Sequence, residues 1–205
     1  MRILIRSLGE LCITAGLVLL LFVTYSLWGT GRYTRAQQDL LGKELLNDWK
    51  GKVTTERVKL GKGLAMIRIP RFGVQYRFVV VEGVELADLR KGPGHYPGSA
   101  LPGEVGNFVV SGHRTTYSAP FNRTAELRTG DKILIDTRQK QYVYEVTGKK
   151  IVKPSAVEVT APVPFKPKDK PSKKLITLTT CHPKYSAAQR LIIFGELTGE
   201  LPRRA

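Results

Sequence analysis

The chain is short of cysteine, histidine and acid. Its 205 residues include two cysteines, three histidines and 17 acidic side chains against 33 basic ones. Cys12 and Cys181 lie too far apart in character and position to pair, which excludes a fold stapled by disulfides. One cysteine with scattered His95, His113 and His182 lacks the ligand spacing of a zinc site. No internal repeat or low-complexity tract is present, and no A-x-A cleavage site follows the apolar N-terminus. The shortage of acid leaves a formal net charge of +16. Such an excess suits a polyanionic neighbour: nucleic acid, an anionic membrane face or an anionic cell-wall polymer.

The N-terminus chooses among these. Residues 11–28, LCITAGLVLLLFVTYSLW, carry no charged side chain and follow Arg2 and Arg6. An apolar run of about 18 residues can span a bilayer, whereas a signal-peptide core is about 7–15. The expected layout is a short cytoplasmic N-terminus at 1–10, a transmembrane signal-anchor at 11–28, a juxtamembrane helix and linker at 29–62, and an extracellular domain at 63–205. Arg32 and Arg35 on the far side oppose that orientation, and a cleaved signal peptide or a buried helix is the alternative. A basic domain outside the cell has no nucleic acid to bind, and the lipid bilayer becomes a partner through the N-terminal helix. Leu40, Leu41, Leu45 and Trp49 recur at helical spacing over 36–50, interrupted by Gly42, and predict a short amphipathic helix.

From Gly63 the pattern changes to short β-branched runs separated by Gly, Pro and polar turns. AMIRIPRFG, YRFVVVEG, GNFVVSGHR, DKILIDTR, QYVYEVTGKKIV and the two runs around residue 185 make seven or eight strands. With 42% hydrophobic residues the chain can bury one core, and the strand spacing predicts an all-β antiparallel barrel or sandwich. ELADLRKGPG and APFNRTAEL each have room for one short helix. Two proline-rich loops, 91–106 and 159–174, are constrained enough to wall a groove.

The candidate chemistry sits in LITLTTCHPKYSAAQRLIIFGEL, residues 175–197. Two period-2 runs flank a polar loop, so Cys181 and Arg190 face one another across an antiparallel pair, with Cβ atoms about 5 Å apart. A lone exported thiol beside a guanidinium favours thiolate, the reactive form of cysteine. His113 ends another strand, on the same face as Val109 and Ser111. A thiolate attacks a carbonyl, a non-titrating arginine offsets the oxyanion, and a histidine moves protons to the leaving amine and from the incoming nucleophile. That is acyl transfer through a thioester.

These residues resemble the sortase family, the membrane-anchored cysteine transpeptidases of Gram-positive bacteria. The signature TLxTC followed by a strand-opening arginine reads TLTTC at 177–181 with Arg190, the histidine element reads SGHRTTY with His113, and IPxxGV reads IPRFGV at 69–74. The match covers about residues 63–200, and GHYPGSALPGEVGNFVVSGHRTTY is most similar to class E, from actinobacteria. The resemblance implies a closed eight-stranded sortase-type β-barrel with one or two short helices. It implies cleavage of an LAxTG or LPxTG sorting signal between Thr and Gly, and transfer to a peptidoglycan amine. Its partners would be exported proteins carrying a C-terminal sorting signal and a peptidoglycan precursor or cross-bridge. Carried over residue by residue, Cys181 is the nucleophile, His113 the general acid/base and Arg190 the oxyanion and substrate partner. Tyr96 is the match for a tyrosine linked to LAxTG preference, with Tyr117 as its competitor, and Thr180 is a substrate-binding candidate.

The resemblance departs at calcium, which some sortases bind here through acids. Residues 91–112 contain only Glu104, and hard cations need several oxygen ligands, so no cofactor or metal is expected. Two other readings use the same composition. A membrane-tethered binding module for anionic wall polymers explains the charge but has no need of Cys181, His113 and Arg190 at strand ends. An L,D-transpeptidase would place its cysteine in an SHGC-like motif, which this chain lacks.

Overall fold

The computed structural model describes residues 2–51 and 58–203, without the side chains of residues 27 and 28. It starts with α1, Arg2–Thr24, whose side chains are exposed throughout. This is the one helix among the described residues long and apolar enough to cross a membrane, with mean hydropathy 2.0. A π-helical turn, Tyr25–Gly29, leads directly into α2, Thr30–Lys50. Gly42 does not interrupt α2: a Cβ there would meet only a methyl of Val79 at 3.9 Å, so the glycine lies where helix and barrel approach. Leu41 and Leu45 bury against Val79 and Val81. Gln38 adds a polar clasp, accepting from the Val79 amide at 2.6 Å and donating to the Val79 and Lys91 carbonyls at 3.0 and 2.9 Å. The linker expected after this helix falls mostly at 52–57, outside the described residues.

Eight strands close a barrel: β1 Gly63–Arg68, β2 Arg77–Glu82, β3 Gly94–His95, β4 Gly106–Ser111, β5 Lys132–Asp136, β6 Lys140–Val152, β7 Lys174–His182 and β8 Gln189–Pro202. Their order around the barrel is β1-β2-β3-β4-β7-β8-β6-β5. Closure leaves no unpaired edge. The barrel is not purely antiparallel, because β2 pairs β3 and β4 pairs β7 in parallel. The physical reason is connectivity: β5 and β6 intervene in sequence between β4 and β7 and close the far side of the barrel. A short helix α3, Leu86–Leu89, and a 3-10 turn, Thr124–Glu126, fall within the two segments expected to hold helices.

Alternation fills the interior. Phe108 and Val110 of β4, Ile176 and Leu178 of β7, and Leu191 and Ile193 of β8 meet Ile67, Ile133, Ile135 and Tyr144 in one cluster. Tyr144 is an interior aromatic whose hydroxyl accepts from the Gly103 amide at 2.8 Å, which satisfies its polar end and ties down the loop before β4. The outer faces of β4 and β7 are covered by loops at one end. Asn107, 1% exposed, donates to the Val159 and Ala161 carbonyls at 3.1 and 3.0 Å and accepts from Thr177 at 2.8 Å. At the other end of these two strands lie the chemical groups.

Candidate active site

Three strand ends converge. β4 and β7 run parallel with Ser111 beside Thr179, and the Gly112 amide extends the ladder to the Thr179 carbonyl at 3.1 Å. His113 follows two residues beyond the end of β4 and Cys181 two residues beyond Thr179 on β7, so both leave the same end of this parallel pair. Across the other edge of β7, Cys181 pairs directly with Arg190 of β8, and His182 with Gln189. The expected opposition of thiol and arginine across the hairpin is therefore present, with 183–188 as the connecting loop. Parity along β7 turns Ile176 and Leu178 inward and Cys181 outward, where it is partly exposed.

Thr180 has the inward parity. It is 4% exposed, and its hydroxyl donates to the Gly112 carbonyl at 2.7 Å. The side chain joins the ends of β4 and β7 under the site, rather than standing in the groove with Cys181.

His113 sits in a dry, sparsely bonded environment. Its Nδ1 lies 3.4 Å from the Thr116 hydroxyl, and Nε2 is buried without a partner among the described residues. The Tyr117 ring lies against the imidazole, 4.8 Å between centroids at 38°. Burial, with a contribution from the Arg90 charge, holds the His113 pKa below its ordinary value, so the ring favours its neutral form. Tyr117, Ser118 and Ala119 all have positive φ, at 53°, 59° and 45°, an arrangement rare for side chains with a Cβ. It is held from outside: the Tyr117 amide donates to the Thr30 hydroxyl at 3.2 Å and the Ser118 hydroxyl to the Gly31 carbonyl at 3.0 Å. The start of α2 thus anchors the loop that covers the histidine.

Arg190 is partly exposed, and its Nη1 donates to the carbonyls of Ala187 and Gln189 at 2.9 and 3.0 Å. Those bonds hold the guanidinium on the β7–β8 loop. Tyr96 lies elsewhere. It follows β3, which runs away from the end of β4 that bears His113, and its amide donates to the Val109 carbonyl at 2.9 Å. Its ring, 39% exposed, borders a groove of about 410 Å³ between residues 96–107 and the prolines Pro162 and Pro171. The structure therefore separates Tyr96 from the imidazole, and Tyr117 is the tyrosine that touches it. His95 is structural: Nδ1 meets Glu82 at 2.6 Å, Nε2 meets Ser99 at 2.8 Å, and its ring stacks on Phe108.

Sequence reasoning missed Arg114. It donates from Nη1 to the Cys181 carbonyl at 3.2 Å and from Nε to the Asn122 carbonyl at 3.1 Å, while Asn122 donates back to the Arg114 carbonyl at 3.0 Å. The one available signal was its place directly after His113, and a lone arginine beyond a strand end reads as surface. Among the described residues no group of three or more His, Cys, Asp or Glu could hold a metal ion. Glu104, the acid nearest the expected position, accepts from the Leu101 amide at 2.8 Å.

Residues 67–198 match the family described as "Sortase domain". Sortase SrtE1 of Streptomyces coelicolor is 36% identical over 207 residues, covering 97% of this chain and 58% of that protein. This chain thus spans less than two thirds of that relative's length. Sortase SrtE2 of the same organism is 32% identical, covering 94% and 81%. The crystal structure of sortase E1 from Streptomyces coelicolor with a tripeptide in the active site superposes with TM-score 0.65 at 34% identity, covering 72% of this chain and 94% of that one.

Proposed function

The chain belongs to the sortase family, and we propose that it is a cysteine transpeptidase of the class E kind. The observation that supports this reading is the pairing of Cys181 with Arg190 across β7 and β8, beside the parallel strand β4 that leads into His113. The Cys181 sulfur attacks the Thr carbonyl of an LAxTG- or LPxTG-type sorting signal, and its proton passes to His113. Arg190 offsets the tetrahedral oxyanion with a charge that does not titrate. His113 returns the proton to the departing glycine amine, leaving a thioester on Cys181. A peptidoglycan amine then attacks the thioester, gives its proton to His113 and takes the acyl group. A neutral imidazole at rest suits this cycle, because the ring must first accept a proton.

The substrates are exported proteins carrying a C-terminal sorting signal. The α1 helix holds the enzyme in the cell membrane by a single pass, with the barrel outside the cell, where such proteins emerge. Selectivity for the residue after Leu is assigned to Tyr96 in its groove, with Tyr117 as the alternative because it lies against His113. The test uses the full chain in detergent with LAxTG and LPxTG peptides and triglycine or diaminopimelate as acceptor. Ligated product from wild type and none from His113→Ala is expected. Peptide hydrolysis that no amine diverts into ligation would contradict transpeptidation. Tyr96→Ala should reduce LAxTG turnover more than LPxTG turnover, and equal losses would remove Tyr96 from selectivity.

A further inference from the structure

Arg114 has a buried charge that the scheme above does not use. Its side chain belongs to a residue only 5% exposed, and both of its hydrogen-bond acceptors, the Asn122 and Cys181 carbonyls, are neutral. Other arginines of the barrel meet carboxylates: Arg68 holds Asp136 at 2.7 Å, Arg71 holds Asp131 at 3.1 Å and Arg123 holds Glu126 at 2.7 Å. Among the described residues Arg114 forms no such ion pair. A guanidinium stays protonated in a protein, and burying one without a counter-charge is unfavourable. The fold therefore leaves this charge without a carboxylate partner, bonded to the backbone carbonyl of Cys181.

The surrounding groups narrow what balances it. His113 and Arg114 come from the end of β4, Arg190 from β8 and His182 from β7 itself. Lys184 of the β7–β8 loop donates to the Asn122 side chain at 2.9 Å. None of these is an anion. Burial pushes the Arg114 pKa down, with Cys181 as the opposing influence. His113 favours its neutral form, and Arg190 is bonded to the carbonyls of its own loop.

We infer that Arg114 is a positioning residue for the nucleophile: it is the standing counter-charge of the Cys181 thiolate, and its bond to the Cys181 carbonyl fixes the end of β7. When the thiol proton passes to His113 the sulfur keeps the electron pair, and the resulting anion completes an ion pair whose cation is already in place. The inference rests on the transpeptidase reading, in which Cys181 is the nucleophile.

Alkylation by iodoacetamide tests it without substrate. The full chain in detergent carries Cys12→Ser, so that Cys181 alone reacts. Arg114→Gln should slow alkylation at pH 7 about tenfold or more, with little change at pH 10, where thiols ionise unaided. Arg114→Lys, which keeps the charge, should recover most of the rate. Equal rates for wild type and Arg114→Gln at pH 7 would overturn the inference, as would equal losses for Gln and Lys. Should Arg114→Gln fail to fold, Arg190→Gln decides. With Arg114 as the remaining counter-charge it should still react faster at pH 7, relative to pH 10, than free cysteine does, and the same ratio as free cysteine would overturn the inference. Failure of the transpeptidase reading appears separately, as absence of ligated peptide from wild type.

Discussion

Replacing Thr180 with valine separates two roles for the residue beside the nucleophile. The substitution keeps the shape of the side chain and removes the hydroxyl that donates to the Gly112 carbonyl at 2.7 Å. At a position 4% exposed, water does not replace the lost donor, so the bond is worth about 1–3 kcal/mol. The methyl that takes its place recovers up to about 0.8 kcal/mol of apolar burial. The net loss of about 1–2 kcal/mol lowers the melting temperature by about 3–8 °C. Gly112 immediately precedes His113, so loosening this junction moves the imidazole relative to Cys181. Misplacement of about 1 Å can cost 100-fold in rate, and a partial shift here should reduce kcat about 3–10-fold with KM within about twofold. Thermal unfolding by circular dichroism and peptide cleavage kinetics read both quantities on the same protein. A tenfold rise in KM with an unchanged melting temperature would refute the reasoning and return Thr180 to the substrate groove.

Three further outcomes follow from other parts of the molecule. Asn107→Leu removes three buried hydrogen bonds that attach β4 to β7 and to residues 159–161, and should cost about 3–5 kcal/mol, read from the urea midpoint. Because burial lowers the His113 pKa, the folded chain binds fewer protons there than the unfolded one. This contribution to stability is therefore complete above about pH 6.5 and is lost as pH falls toward the lower folded value. Melting temperatures from pH 7.5 down to 4.5 should decline more steeply for wild type than for His113→Gln, and parallel curves would contradict this. Calcium added to chelator-treated enzyme should leave the cleavage rate unchanged, since Glu104 is the only acid in residues 91–112; a clear increase would oppose it.

The pairing of Cys181 with Arg190 was legible because period-2 spacing and the length of the polar loop determine which residues oppose. His113 was legible as a strand-end histidine on the Ser111 face. The burial of Thr180 was legible too: Ile176 and Leu178 share its parity, so a residue two further on also faces inward. The two-residue β3 was hidden in a Gly- and Pro-rich loop with no apolar alternation. The parallel pairing of β4 with β7 depends on how β5 and β6 close the barrel, which no local pattern records. Gly42 suggested a break in α2, but a helix tolerates glycine where its face meets another element closely. Arg114 was illegible for a different reason. Its burial is created by Asn122 and the end of β7, neither of which is near it in pattern.

The central claim is that Cys181 carries the acyl group between two substrates. Incubating the full chain with a sorting-signal peptide and no amine acceptor, followed by acid quench and intact mass spectrometry, tests it most directly. Wild type should gain the mass of the peptide up to and including its threonine, located on Cys181 and discharged by hydroxylamine, while Cys181→Ala gains nothing. Cleavage of the peptide by Cys181→Ala, or an adduct on any other residue, would contradict the account.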